Sequence, residues 1–174
     1  RTSPPTAPPP GPPPSETSDL ESPMIENIDL AELLHRLVAA CTETVTQRGV
    51  VFSAEIDREP GRALADPQLL ETALAGLLRR ALDWLPDAGE LFLASHHHPS
   101  GPGRGPRARV LLRFHAAATE LGREPASDLD GVESSFEFVA AKTAIEALGG
   151  DFTLSTGGER EILVLMDLPA PERT

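Results

Sequence analysis

A single cysteine, Cys41, stands in 174 residues, so no internal disulfide can staple this chain. Beside Leu37, Val38 and Val45 it reads as a small buried hydrophobe rather than a reactive thiol. Basic residues are also scarce: 15 Lys and Arg against 27 Asp and Glu leave a formal net charge of −12. That balance works against holding nucleic acid by phosphate neutralisation and favours solubility. No apolar run approaches the roughly 18 residues that a membrane span needs, and no signal-peptide pattern is present. A cytoplasmic setting without membrane contact is therefore expected. The chain opens on Arg1 rather than Met, which suggests a module cut from a larger protein, with a partner domain upstream.

What is present divides unevenly. Hydrophobic residues make up 40% of the chain, enough for one core. Residues 1–27, rich in Pro, Ser and Thr, have little to bury and read as a disordered, semi-extended linker. Its PPPGPPP stretch could serve as a polyproline II ligand, but a linker is the simpler reading. Residues 28–169 read as the folded domain, and 170–174 as a tail.

Asp29 with Glu32 three residues on makes a capping pattern for a helix whose apolar positions run from Leu30 to Val45 and which Gly49 stops. VVFSAEID reads as a strand ending near Ile56, and REPGRAL as a turn. Asp66-Pro67 is a strong helix start, followed by the apolar stripe Leu69, Leu70, Ala73, Leu74, Leu77, Leu78, Ala81 and Leu82, ending near Trp84. Two further strands, ELFLAS and ARVLLRFHA, flank HHHPSGPGRGPR, read as the loop of an antiparallel hairpin. Residues 116–131 have no period and read as a loop. A third helix follows, with Phe136, Val139, Ala140, Thr143, Ala144 and Leu148 expected toward the core and Gly149-Gly150 as its stop, before a closing hairpin. The order implies an α+β fold: a two-layer sandwich with a mixed, mainly antiparallel sheet covered on one face by about three helices.

The phrases IDLAELLHRLV, ALADPQLLETALAGLLRRALDWLPDAGELFLAS and FVAAKTAIEALGGDFTLSTGGEREILVLMDLP, in that order, resemble the catalytic and ATP-binding domain of sensor histidine kinases, of the GHKL ATPase superfamily with its Bergerat-type fold. The likeness spans roughly residues 28 to 169. It implies three nucleotide-holding phrases, and each is altered here. Where the family has an NLLxNA phrase whose second asparagine helps hold Mg²⁺, this chain has Gly76-Leu77-Leu78-Arg79-Arg80-Ala81. Neither Gly76 nor Arg80 offers the oxygen that Mg²⁺ prefers. Where an Asp-x-Gly-x-Gly phrase would read adenine, this chain has His115-Ala116-Ala117-Ala118-Thr119. Where a GLGLxI phrase would cradle phosphate on backbone N–H groups, it has Ser135-Phe136-Glu137-Phe138-Val139-Ala140.

The resemblance with these replacements implies a pseudo-ATPase: no catalytic residue, no ATP or Mg cofactor, and a vestigial pocket at Gly76, Arg80, His115, Ala117, Ser135 and Glu137. Its work would then be to bind or regulate a signalling protein in bacteria, a response regulator or a kinase helical domain, with Phe136 and Phe138 as candidate anchors unless both simply pack in the core. The alternative is a divergent but active ATP-binding domain of a sensor histidine kinase. A third reading puts an anion against Arg80 where Mg²⁺ would have sat. A monomer is expected, because the family's helical oligomerisation segment has no counterpart here. His35 lacks the acidic and proline neighbours of the family's phospho-acceptor phrase and reads as a surface histidine. His96, His97 and His98 read as solvated loop residues rather than a metal site. Arg104, Arg107 and Arg109 make either a small basic patch or solubilising side chains, and Gly101, Gly103 and Gly105 belong to a loop, not a phosphate cradle.

Overall fold

Two aspartates start the principal helices. In the computed structural model, which describes residues 2–11, 22–58, 61–99, 102–117, 132–133 and 135–172, the Asp29 carboxylate accepts the Glu32 N–H at 2.9 Å and opens α1, Leu30–Ala40. One Asp66 oxygen accepts the Gln68 and Leu69 N–H groups and opens α3, Pro67–Trp84; the other accepts the Met24 N–H at 3.0 Å. These bonds hold the Asp66 carboxyl below the usual carboxylate range, the Leu69 and Met24 amides foremost.

The first helix is not continuous. At Cys41 the backbone tightens, its N–H reaching Val38 O, and α2, Thr42–Arg48, continues as a separate segment. No residue of α2 is fully buried, Val45 alone of its side chains packs against the core, and its run TETVTQR is rich in β-branched side chains, so packing and propensity hold it only weakly in line with α1. Cys41 is half-buried against the core, and desolvation pushes its thiol pKa up. Gly49, at φ +64°, makes the left-handed stop. Arg48 donates to Leu82 O and Leu85 O, capping α3 from a neighbouring element, and pairs with Asp87 at 3.0 Å.

The main sheet has strand order β2-β4-β5-β7-β6, from β2, Val51–Ile56; β4, Glu90–His98; β5, Arg107–His115; β6, Asp151–Thr156; and β7, Glu161–Pro169. Only β2 and β4 run parallel. A second pair joins β1, Glu26–Asp29, to β3, Arg62–Ala65. Both were missed in the sequence: β1 lies partly in the segment read as linker, and β3 falls in REPGRAL, read as a turn. Each has four residues, too few to show alternation. The sheet also takes in the three histidines expected in a loop, since β4 runs on to His98 opposite Arg107. The Gly/Pro signals after them had hidden that extension.

Alternation fixes the two faces. Leu91, Leu93, Val110, Leu112, Phe114, Ile162, Val164, Met166 and Leu168 are buried against the helices. On the opposite face Arg109 holds Asp167 by two bonds of 2.7 and 2.8 Å, Arg107 reaches Asp151 at 2.7 Å, and Arg113 lies over Phe92. The basic patch considered for this hairpin is thus neutralised at Arg107 and Arg109. The last helix, α4, Phe136–Ala147, buries Phe138, Ala141, Ala144 and Ile145. Its phase differs from expectation: Phe136 is 81% exposed and Val139 48% exposed, and Ala140 and Thr143 also face outward. Gly149, at φ +75°, ends the turn after it, and a Cβ on Gly150 would lie 2.5 Å from Asp167 O.

Candidate functional site

Arg80 sits four residues before Trp84 on α3, so both side chains leave the same face of the helix. The Arg80 guanidinium lies 5.0 Å from the centre of the indole, and the same ring system stacks on Phe138 of α4, centroids 5.3 Å apart and planes 12° from parallel. An arginine, a tryptophan and a phenylalanine thus tie α3 to α4. In the sequence Trp84 marks only the end of a helix. Its spacing from Arg80 was the available signal.

The start of α4 closes the cluster from the other side. Ser135 is its N-cap residue, buried, and donates its hydroxyl to Glu137 Oε2 at 2.9 Å rather than capping an amide. The same Glu137 oxygen lies 3.6 Å from Arg80 Nε. Glu137's own backbone N–H and the Ser135 hydroxyl lower its carboxyl pKa, against the effect of burial, and Arg80 and Arg79 add to the lowering. Arg80 Nε is buried and makes no hydrogen bond with the described residues.

The structure therefore brings together Arg80, Ser135 and Glu137, with Phe138 beneath them, and places the other expected residues apart. Gly76 is one helical turn before Arg80, and a Cβ there would meet nothing within 4 Å. Ala117 reaches the cluster by backbone only, its N–H donating to Trp84 O at 2.7 Å. His115 is not at the site: it is exposed on the opposite face of the sheet, beside Arg113 and Val51. Strand parity decides this, because Phe114 and Ala116 point inward. Phe138 is core, and Phe136 is the exposed one of the anchor pair. Ala118, Thr119 and the rest of the expected loop to Gly131 lie outside the described residues, as do residues 1 and 12–21 of the linker and Gly101. His35 is exposed on α1. His96 Nδ1 lies 3.6 Å from Asp57, and among the described residues no three His, Cys, Asp or Glu side chains gather as a metal site. No helix among them is long and apolar enough to cross a membrane.

Chemically, the cluster holds one cation and one carboxylate engaged with each other over an aromatic floor.

No protein-family model matches the sequence, and no curated protein matches it. Solved structures do. The catalytic domain of histidine kinase ThkA, nucleotide-free, matches with a TM-score of 0.68 at 17% identity, covering 84% of this chain and 95% of that one. Histidine kinase AdeS of Acinetobacter baumannii matches at 0.64 and 14% identity, covering 86% of this chain and 69% of that chain. ThkA in complex with the response regulator protein TrrA matches at 0.66 and 17% identity, over 84% of this chain and 42% of that one. The chain thus has the α+β fold of histidine-kinase catalytic domains.

Proposed function

We propose that this domain is a pseudo-ATPase, a histidine-kinase-like scaffold that acts by binding or regulating a protein partner in signalling. The observation that carries the reading is the Arg80–Glu137 pair, with Gly76 in place of a side-chain oxygen. Mg²⁺ takes near-octahedral oxygen ligands. Gly76 supplies no side chain, Arg80 supplies a positive charge, and the one carboxylate of the cluster already serves Arg80 and Ser135. The start of α4 meets a second obstacle to phosphate, because Glu137 places its own negative charge there. The residues present do not fit a magnesium–triphosphate, and no step of chemistry through one is derived. A signalling partner is supported by the fold shared with ThkA, which has been solved in complex with a response regulator protein.

Calorimetric titration with ATP and ADP, with and without Mg²⁺ and with a chelator control, tests the reading. The expected result is no saturable heat and no thermal stabilisation up to millimolar nucleotide. Saturable, Mg²⁺-dependent binding at micromolar affinity would instead establish the alternative, a divergent active ATP-binding domain. One observation favours a second reading, an anion held without metal: Arg80 Nε is buried without a hydrogen bond among the described residues. Binding of ATP or inorganic phosphate that persists in chelator and is lost in Arg80→Ala would support it.

A further inference from the structure

At one edge of the main sheet, β6 pairs with β7 on one side and has no strand on the other among the described residues. The Gly157 N–H donates to Glu161 O at 2.9 Å, and with the β6–β7 register this sets the ladder: Ser155, Thr153 and Asp151 bond to β7. The amides and carbonyls of Phe152, Leu154 and Thr156 therefore point away from it. Among the described residues the edge is lightly protected: its only charge is Asp151 at its start, and that carboxylate is held by Arg107 at 2.7 Å. Its sequence, DFTLST, has no lysine and no proline, and the side chains on the helix-facing side are Phe152, Leu154 and Thr156.

Beside that edge runs α4, and between the two lies a groove enclosing about 510 Å³. Val139 and Phe138 form its helix wall, Phe152 and Leu154 its strand wall, and Glu133, Lys142 and Glu146 its rim. Val139 is one of the few large apolar side chains exposed among the described residues, and the most exposed phenylalanine, Phe136, stands one turn before it on the same helix. Free strand backbone, alternating apolar side chains and a helix wall in one place are the requirements for adding a strand from another molecule.

We propose that the α4–β6 groove binds an extended segment of a partner protein by strand addition to β6. The segment alternates apolar side chains, which enter the groove beside Phe152, Leu154 and Val139, with polar ones, and carries a basic residue toward the rim. Charge complementarity decides the last point, since two rim carboxylates face one ammonium and the whole chain is acidic. The inference rests on the protein-binding reading above and gives it a surface. The two fail separately, because nucleotide titration reports on Arg80 and the following experiment on β6.

The probe is an eight-residue blocked peptide alternating valine with threonine and lysine, added to the isotope-labelled chain and followed by amide hydrogen exchange. In the free chain the Phe152, Leu154 and Thr156 amides should exchange faster than those of Thr153 and Ser155. Peptide should slow the first set by about tenfold or more, with little effect on the second. Val139→Glu, at an exposed position where substitution should leave the melting curve unchanged, should weaken the peptide by about tenfold. A peptide with alternate backbone nitrogens methylated should not bind, and one with glutamate in place of lysine should bind more weakly. The proposal is overturned if millimolar peptide protects none of these amides, if the methylated peptide binds equally well, or if Val139→Glu has no effect. Protection already present without peptide would assign the edge to another segment of this chain, and protection rising with chain concentration would assign it to a second copy. Either result overturns the proposal.

Discussion

Arg80 presents its charge to two partners of different kinds, the Trp84 ring and the Glu137 carboxylate. Both contacts are partly open to water, so each stabilises modestly. Arg80→Ala should cost about 1 kcal/mol and shift Trp84 fluorescence, because the indole loses the cation above it; an unchanged emission spectrum would contradict the stacking. Gly76 offers the opposite prediction. A mid-helix glycine costs about 1 kcal/mol relative to alanine, and nothing lies within 4 Å of a Cβ at this position. Gly76→Ala should therefore raise stability by up to about 1 kcal/mol in denaturant unfolding. Both residues stood out in LETALAGLLRRALDW, but the sequence could not show that Glu137, 57 positions from Arg80, would meet it. The rise of α4 beside α3 decides that.

Helix α4 shows how one wrong phase changes the list of functional residues. Two phenylalanines two residues apart cannot share a helix face, so one must point outward. Phe138 took the core because its ring stacks on Trp84, and Phe136 was left exposed. Phe138→Ala should then destabilise by about 3–5 kcal/mol, while Phe136→Ala should change stability by less than about 0.5 kcal/mol. Comparable losses at both would mean that the phase is otherwise. The caps were easier to read. Asp66-Pro67 carries its own local geometry, and Asp66→Ala should lower the melting temperature as the Gln68 and Leu69 amides lose their acceptor.

Across the whole molecule, the outer face of the sheet is tied by ion pairs between strands distant in sequence, with Arg109 and Asp167 the best aligned. Asp167's carboxyl pKa lies below the usual range because Arg109 donates to it, against the effect of desolvation. A depressed carboxylate stabilises the fold above its unfolded pKa and loses that contribution as pH falls through the folded one. Stability should thus decline from about pH 4 downward, and the gap between the wild type and Asp167→Asn should narrow over that range in acid-titrated melts. A gap independent of pH would argue against the linkage.

The sequence by itself determined the long elements, their capped ends and the α+β class, because periodicity, Asx caps and glycine stops act over a few neighbouring residues. It also displayed Gly76 and Arg80 as departures from the resemblance they interrupt. The tertiary structure alone decided which residues share a site. The short β1 and β3 exist through their pairing with each other, the histidines became strand through register with β5, and His115 left the candidate site by strand parity. Those outcomes depend on contacts across tens of residues, where packing outweighs the weak local preferences a short segment carries.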